Sequence, residues 1–462
     1  MQPQNRTTKR TPKSASSRRD FLRTTVGAGA GYWVAGGIAA KVSASPNEQL
    51  QIACFGVNGK GRSDVDNAAK FGTIYALCDA DRTFLNLSAR SNKVAKENTF
   101  TDYRELFDKL GDQIDVAVVS TPDHTHAVIL ARALKSGKHC YGQKPLTHNI
   151  YEARAIQDLA RTAGVVTQMG NQGTALNAMR LAAHQVKAGQ IGKVKEVHVW
   201  TNRPVWPQGE ARGAEKPVPK ELDWESWIGP APMRPYADGY HTFKWRGWWD
   251  FGTGALGDMA CHTVNLPFMA LNMRDPTAVE AETSGHDHDS YPARSRIKFD
   301  FPAIGDRQAF KFYWYDGSNQ PEKELVADFE TPDKDGKPRS VTTSGCLLVG
   351  DKASMYAAGD YAEQGVFANN GVELTEVDYP HSPGEPELGH VQEFYEAIAD
   401  PKNKKTMSNF PDYAGPLTET ILLGNLAVWK EGPVKWDAKT LTPDDPSLMA
   451  IVKNEYREGY EL

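Results

Sequence analysis

Two hydrophobic patterns divide the chain. Between residues 50 and 168, short apolar runs alternate with turns and stretches of helical periodicity. The runs read LQIACF, TIYALC, IDVAVVS and KHCYG, and a helical pattern follows each of them. Alternating strands and helices of this length predict a parallel, doubly wound sheet with helices on both faces.

From Gln168 onward the apolar residues follow a different period. The segments KVKEVHVWT, SRIKFDF and QAFKFYWYDG alternate apolar and polar positions. Ile297 and Phe299 fall on one face of their segment, and Phe312 and Trp314 fall on one face of the next. This period predicts an antiparallel sheet that buries one side.

The segment around the first predicted strand carries a glycine pattern. LQIACFGVNGKGR passes from a strand through a glycine turn into a helix, which is the position of the dinucleotide fingerprint. Gly56 and Gly61 fit its spacing, whereas Asn58 stands where the second glycine is expected and Gly59 follows it. The candidate phosphate-binding residues are Gly56, Asn58, Gly59, Gly61 and Arg62.

The second predicted strand ends at an acid. Asp79 lies 23 residues after Gly56, where a carboxylate accepts hydrogen bonds from an adenosine ribose and repels a 2′-phosphate. The sequence therefore predicts an NAD-binding Rossmann domain over 46–170, with NADP disfavoured. A flavodoxin-like domain without cofactor is the alternative. Residues 171–462 form the second, substrate-binding domain in this reading.

The first 45 residues have the composition of an export signal. Residues 6–23 hold many Lys and Arg and the single acid Asp20, and a weakly apolar run rich in Gly and Ala follows. A basic segment followed by an apolar segment and a small-residue site predicts a secretory signal that is cut after Ala44. Within it, SRRDFLR resembles the twin-arginine export motif. The alternative, a membrane anchor, fits less well because a span needs about 20 predominantly apolar residues.

Composition narrows the function further. The chain has 462 residues, a net charge of −5 and no basic stretch after the N-terminal segment, which gives no reason to expect a nucleic-acid partner. Five cysteines show no CxxC spacing. Cys54, Cys78 and Cys140 lie in or at the end of apolar runs, so we expect buried free thiols.

Three further segments carry a resemblance to a known family. VVSTPDHTHA, GKHCYGQKPL and GALGDMACH occur in this order. They are similar to segments of the Gfo/Idh/MocA oxidoreductases, the family of glucose–fructose oxidoreductase and inositol dehydrogenase. LDWESWIGPAP and AGPLTETILLGN look like a secreted branch with twin-arginine signals. The resemblance implies a Rossmann domain followed by an α+β domain, whose open, mainly antiparallel sheet is used for oligomerisation. It also implies NAD-dependent oxidation of CH–OH groups in a homodimer or homotetramer.

The resemblance also implies site residues. It places a catalytic lysine at Lys144 and a catalytic Asp–His pair at Asp258 and His262. It extends the cofactor-binding set by Thr121, Pro122, His126 and Gln143. Gln143 stands where the family motif has Glu, so we expect Lys144 to lack a carboxylate partner there and to titrate lower.

A proton must leave the substrate hydroxyl as hydride moves to NAD. Because histidine titrates at about 6.5, His262 is the expected general base. Asp258 lies one helical turn earlier on the same face and would orient the imidazole, while Lys144 would stabilise developing alkoxide charge. The alternatives are a lysine base, or an Asp–His pair that is only a solvated helix decoration.

Loops rich in aromatic residues separate the strands of the second region. Tryptophan faces suit the apolar faces of sugar rings, although large aromatics at a domain junction also serve as core. The candidate substrate-binding residues are Asn171, Gln172, Arg203, Trp206, Tyr240, Trp248 and Trp249. His286 and His288 invite a metal reading, but no third ligand has a telling spacing, so we expect no metal.

These observations favour an exported, NAD-dependent oxidoreductase that acts on a sugar, glycoside or polyol and keeps its cofactor bound, since free NAD is scarce outside the cytoplasm. The alternative is an NAD-dependent glycoside hydrolase that oxidises, eliminates, hydrates and reduces. A third class is a non-catalytic sugar- or NAD-binding protein. The sequence does not specify the sugar or the carbon.

Overall fold

Six parallel strands form the first sheet of the computed structural model, which describes residues 49–329, 341–368 and 374–462. The expected signal peptide, residues 1–45, lies outside these ranges. The strand order is β3-β2-β1-β4-β5-β6, and every neighbouring pair is parallel. The strands are β1 (Leu50–Phe55), β2 (Gly72–Cys78), β3 (Thr99–Phe100), β4 (Val116–Val119), β5 (His139–Gly142) and β6 (Thr167–Met169).

Five helices follow the strands of this sheet. They are α1 (Lys60–Ala68), α2 (Arg82–Asn92), α3 (Tyr103–Leu110), α4 (Asp123–Lys135) and α5 (Ile150–Ala163). Asp81, Asp102 and Asn149 cap α2, α3 and α5, each accepting a backbone N–H in the first turn. The doubly wound parallel sheet predicted from the alternating pattern is confirmed.

The second sheet has nine strands in the order β13-β12-β11-β7-β10-β9-β8-β14-β15. Its strands are β7 (Val194–Trp200), β8 (Ala278–Thr283), β9 (Ser295–Phe301), β10 (Phe310–Tyr315), β11 (Gly345–Gly350), β12 (Ser354–Ala358), β13 (Gly365–Phe367), β14 (Pro433–Asp437) and β15 (Thr442–Pro443). The predicted mainly antiparallel sheet is confirmed, with one parallel pair, β7 and β10. A parallel pair needs a long crossover, which the chain between β7 and β10 supplies.

The remaining α-helices come later in the chain, and one of them, Pro386–Ala399, packs against the strands of the first sheet. They are α6 (Asn177–Lys187), α7 (Trp224–Ile228), α8 (Gly254–Thr263), α9 (Asn265–Leu271), α10 (Lys323–Val326), α11 (Pro386–Ala399), α12 (Gly415–Lys430) and α13 (Met449–Val452). α12 is apolar around most of its circumference because it packs on both α5 and β8. One hydrophobic core therefore runs through both regions.

All five cysteines are buried and unpaired, which confirms the prediction made for Cys54, Cys78 and Cys140. Among the helices of the described residues, none combines the length and apolarity that crossing a bilayer requires.

Candidate active site

A cavity of about 400 Å³ opens at the carboxyl ends of the parallel strands. The loop after β1 forms its floor. Gly56 has φ of 74°, and a Cβ there would lie 2.5 Å from the Ser120 carbonyl oxygen, so only glycine fits. Gly59 has φ of 57°, and a Cβ there would meet no atom within 4 Å, because this position borders the cavity. The loop thus leaves its backbone open to a ligand at the start of α1.

Asp79 marks the end of β2 on the same cavity. Its Oδ2 accepts the Val57 N–H at 2.8 Å and its Oδ1 accepts the Asp81 N–H at 2.9 Å. Burial raises the pKa of Asp79, while these two backbone donors act in the opposite direction. The carboxyl group is therefore fixed in position beside the phosphate-binding loop, as a ribose site requires.

The other expected cofactor residues divide into two groups. Asn58, Thr121, Pro122 and Gln143 line the cavity. Gly61 lies beneath the loop, where a Cβ would meet the Gly56 carbonyl oxygen, and Arg62 lines a small neighbouring groove.

His126 does not line the cavity. It lies beneath it, with Nε2 2.7 Å from the Thr121 carbonyl oxygen and Nδ1 2.8 Å from that of Pro145. Burial lowers its pKa to about 4. His126 thus ties together the two segments that border the cavity.

Residues 221–246, which follow β7 in the chain, form the opposite wall; we call this segment the clasp. Backbone hydrogen bonds attach it to the end of β2, from Asp223 N to Ala80 O at 2.8 Å and from Arg82 N to Glu221 O at 2.9 Å. His241 Nε2 lies 3.0 Å from Asp81 Oδ2. Both domains therefore enclose the cavity.

Lys144 lines this cavity and contacts Asp258 of α8 behind it. Lys144 Nζ donates to Asp258 Oδ1 at 2.9 Å and to the Asp258 carbonyl oxygen at 2.9 Å. Arg246 of the clasp donates to the same Oδ1 at 3.0 Å. Burial opposes ionisation of Asp258, but the two cations hold its pKa well below the usual range. Asp258 is therefore an anion shared by two cations.

His262 lies one turn further along α8, but no hydrogen bond joins it to Asp258 within the described residues. Its Nδ1 is buried and unpartnered there, and its ring meets Tyr361 edge-on at 4.9 Å between centroids. Burial lowers the pKa of His262 well below its usual value, and the Lys144 ammonium lowers it further. The expectation that Asp258 orients this imidazole does not match the geometry, because Asp258 is committed to Lys144 and Arg246.

The structure gives a reason for Gln143. Its Nε2 donates to Asp64 Oδ2 at 2.9 Å, and Ser120 donates to the same oxygen at 2.7 Å. A glutamate at 143 would place a second carboxylate against the buried Asp64, which is unfavourable. The carboxylate partner of Lys144 is Asp258, so the lysine does not lack one, contrary to our expectation.

Three residues outside the predicted set contact predicted ones: Arg246, which lines the cavity, and Asp360 and Tyr361, which do not. Gln172 Nε2 donates to the Tyr361 hydroxyl at 3.1 Å, and Arg203 pairs with Asp360 at 3.2 Å. Arg246 lies in the aromatic segment KWRGWWD, so the sequence pattern could have identified it as a site residue. Asp360 and Tyr361 follow β12, and no motif marks them.

Two more of the predicted substrate residues, Trp206 and Asn171, have different surroundings. Trp206 meets Phe243 of the clasp edge-on, and the Arg246 guanidinium lies 5.9 Å from the Trp206 ring. Asn171 is buried and accepts the Ser408 hydroxyl at 2.6 Å.

None of the seven predicted substrate residues is among those that line the main cavity, and Tyr240, Trp248 and Trp249 lie well inside other packing. Tyr240 and Trp248 pack in an interior aromatic cluster, with ring centroids 5.4 Å apart. Trp249 stacks on Tyr291 at 3.7 Å and borders a separate cavity of about 330 Å³. Their large rings fill the junction behind the site rather than its wall.

His286 contacts the protein backbone: its Nε2 lies 2.9 Å from the Val428 carbonyl oxygen. In the part of the chain that the structure describes, no group of three or more His, Cys, Asp or Glu side chains is arranged to hold a metal ion.

Two protein-family models match this chain. Residues 52–171 match the GFO/IDH/MocA model described as "Oxidoreductase family, NAD-binding Rossmann fold". Residues 187–306 match the companion model, "Oxidoreductase family, C-terminal alpha/beta domain". Together the two models cover more than half of the chain.

Individual relatives match over shorter stretches. Levoglucosan dehydrogenase of Pseudarthrobacter phenanthrenivorans is 27% identical over 171 residues, covering 37% of this chain and 36% of the relative. A glycosyl hydrolase family 109 protein of Solibacter usitatus is 30% identical over 194 residues, covering 39% and 44%. The chain thus spans well under half the length of these relatives.

The fold has wider counterparts. An inositol dehydrogenase homolog from Azotobacter vinelandii, solved with NADH and myo-inositol, superposes with a TM-score of 0.55 at 14% identity. The superposition covers 84% of this chain and 98% of that one, which shows a common fold.

Proposed function

The chain belongs to the Gfo/Idh/MocA oxidoreductase family, and we propose that it transfers hydride between a hydroxyl group of a sugar, glycoside or polyol and a tightly bound NAD. The observation that carries this proposal is the contact of Lys144, from the end of β5, with Asp258 of α8 on a cavity floored by the phosphate-binding loop. When bound, NAD accepts or returns the hydride.

The protein's own residues supply the rest of the chemistry. The loop at Gly56–Gly59 and the Asp79 carboxyl group suit the pyrophosphate and the ribose. Lys144 hydrogen-bonds the reacting oxygen and stabilises the negative charge that develops on it. The neutral His262, with an unpartnered Nδ1, accepts the hydroxyl proton. Asp258 positions Lys144 for this role.

The substrate class is inferred from the site and from the relatives' names. Gln172, Arg203, Trp206 and Arg246 offer amide, guanidinium and aromatic contacts, the combination that polyhydroxylated rings use. Levoglucosan dehydrogenase, as its name says, acts on an anhydrosugar. We therefore place a sugar or polyol beside Lys144.

We also propose that the cofactor stays bound through the catalytic cycle. The clasp supports this, because it adds a second wall to the cavity and is attached to the ribose end by backbone hydrogen bonds. A resident cofactor suits export through the twin-arginine route, which carries folded proteins.

Export remains a proposal that rests on Arg18, Arg19 and the segment around them. Replacing both arginines by lysine and fractionating the cells tests it: the protein should accumulate in the cytoplasm. Continued export of the double variant would contradict the proposal. The domain limits 46–170 and 171–462 and a homo-oligomer formed on the open sheet are likewise proposals; light scattering of the purified protein tests the latter.

The second candidate function is glycoside hydrolysis through transient oxidation, and the similarity to the family 109 glycosyl hydrolase favours it. Release of a phenol from aryl glycosides without added cofactor supports the hydrolase. Accumulation of NADH in proportion to the sugar consumed supports the dehydrogenase. A protein that does neither with any sugar, yet binds NAD, is a binding protein.

Native mass spectrometry of the gently purified protein is the first test. We expect a mass increment that corresponds to one dinucleotide for each chain. A sugar panel should then change the absorbance of the bound nicotinamide in a single turnover. Absence of any nucleotide, and no response after NAD is added, would overturn the proposed function.

A further inference from the structure

Asp123 is a buried carboxyl group that borders the main cavity and that the mechanism above leaves unused. It is the first residue of α4, it is 3% exposed, and it lines the same cavity as Lys144. Thr253 Oγ1 donates to its Oδ2 at 2.7 Å. Within the described residues no donor contacts its Oδ1, which leaves one oxygen available to a ligand.

The groups that surround Asp123 come from several elements. Its carboxyl group interacts electrostatically with Lys144 after β5, Arg246 of the clasp and Asp258 of α8. Two further groups lie nearby and are kept neutral by burial, Cys261 and Tyr291. Burial raises the pKa of Asp123 to about 7, against the bond from Thr253. Both the acid and the carboxylate are therefore populated near neutral pH, as proton transfer requires.

The two histidines of the same helix, His124 and His126, have backbone partners and do not hydrogen-bond to this carboxyl group. Both nitrogens of His124 face backbone carbonyl oxygens, those of Phe251 at 3.2 Å and Trp227 at 3.0 Å. The nitrogens of His126 are likewise directed at carbonyl oxygens. Asp123 therefore has no imidazole partner and is not part of a buried relay between histidines.

We propose that Asp123 is a second acid–base group of this site, which removes a proton from the carbon next to the oxidised carbon of the sugar. The inference rests on the proposed function, because the proton becomes acidic only when the neighbouring hydroxyl has become a ketone. The C–H bond breaks, an O–H bond forms on Asp123, and the electron pair enters an enolate whose oxygen Lys144 stabilises.

This step selects a substrate class. Where the carbon beyond the enolate carries an alkoxy group, the electron pair forms a C=C bond and the C–O bond breaks. The leaving oxygen keeps its pair and takes a proton from water. A glycoside oxidised two carbons from its anomeric centre has this arrangement, so Asp123 points to glycosides rather than free polyols.

The test separates proton transfer from redox chemistry. A methyl 3-ketohexopyranoside, which needs no oxidation, is incubated with the cofactor-loaded protein in D₂O, and NMR follows deuterium entry at the carbons beside the ketone. We expect catalysed exchange, and we expect Asp123→Asn to lower its rate by about 100-fold or more, in the range of general base catalysis. Exchange at the wild-type rate in Asp123→Asn would overturn the proposal.

Asp250→Asn is the matched control, because Asp250 is a half-buried carboxyl group whose pKa burial also raises, and it lines the separate cavity. Its exchange rate should equal that of the wild type. Thr253→Val provides a second variant. Loss of its hydroxyl donor raises the pKa of Asp123, so the pH at half-maximal exchange should move upward, and Thr253→Ser should restore it. An unchanged midpoint in Thr253→Val would contradict the role of Asp123.

Failure of this inference is distinct from failure of the proposed function. If the wild type reduces its bound nicotinamide with a sugar but does not exchange the keto sugar, the dehydrogenase stands and the role of Asp123 falls. If neither reaction occurs, both proposals fall.

Discussion

Lys144 and Asp258 are 114 positions apart in the sequence, yet the lysine Nζ lies 2.9 Å from both the Oδ1 and the carbonyl oxygen of Asp258. Because two acceptors on one residue hold the ammonium, its position is defined by the geometry of α8. The first domain thus supplies the charge and the second fixes where it lies.

Asp258→Asn should lower the single-turnover rate of hydride transfer by about 100-fold to 1,000-fold, because Lys144 is no longer held where it stabilises the developing negative charge, and loss of one such donor has an effect of this size. The amide keeps the volume but cannot neutralise Lys144 and Arg246. Rapid-mixing absorbance of the bound nicotinamide measures it. Combining the change with Lys144→Met should cost little more than Lys144→Met alone, because the residues act as a unit. Full additivity in the double variant would count against the coupling.

Trp206 and Trp249 provide a matched comparison. Trp206→Phe should raise KM for the sugar by about tenfold, because the Trp206 ring lies 5.9 Å from the guanidinium of Arg246, which lines the cavity. Trp249→Phe should leave KM unchanged and lower Tm, since that ring stacks on Tyr291 in the separate cavity. Steady-state kinetics and thermal melts distinguish the two, and the opposite pattern would restore Trp249 to the substrate wall.

Asp79→Ser should reduce the preference for NAD over NADP. Removing the carboxylate removes its repulsion of a 2′-phosphate, and a roughly tenfold gain in NADP affinity corresponds to about 1.4 kcal/mol. Calorimetric titration of both nucleotides into nucleotide-free protein measures the change. Asp66→Asn, an exposed acid on α1, is the control and should bind both nucleotides as the wild type does.

His241→Ala should speed the release of bound NAD by about tenfold, since contacts of this kind act mainly on dissociation rates. The imidazole contacts Asp81 and holds the clasp against the end of β2. Displacement by a fluorescent nucleotide analogue gives the rate. His288→Ala removes an exposed histidine of the separate cavity and should release NAD at the original rate; equal rates for all three proteins would show that the clasp does not retain the cofactor.

Asp123→Asn should also change how stability depends on pH. The folded pKa of about 7 lies above the usual value of 3.8, so the folded chain holds a proton that the unfolded chain releases. Stability from this group is complete below about pH 4 and is lost as pH rises through about 7. The asparagine variant does not titrate at this position and does not lose this stability. The Tm of the variant minus the Tm of the wild type should therefore increase as pH rises through this interval. A constant Tm difference at all pH values would contradict the assignment.

The family resemblance identified Lys144 and Asp258, and the structure brings the two side chains into contact. Lys144 could also be expected near a ligand because it follows β5, whose carboxyl end opens on the cavity. The partner of Asp258 was predicted incorrectly. Spacing of four residues brings Asp258 and His262 onto one helix face, but a carboxylate binds the strongest available donors, and those are two cations distant in sequence.

Periodicity also predicted which strand faces are buried, and Phe299 and Phe312 are indeed in the core. It carries no information on strand direction, so the parallel pairing of β7 with β10 was not predicted. Asp360 and Tyr361 were missed for a related reason: they reach the site through the pairing of distant strands, and no local pattern records that pairing.

The buried, unpaired thiols have a practical consequence. Since every native sulfhydryl is shielded from reagents, a single cysteine introduced on the exposed side of the clasp would be the sole site for maleimide labelling under native conditions. A dye attached there would report the opening and closing of the nucleotide compartment in individual molecules, with no need to remove any natural residue first.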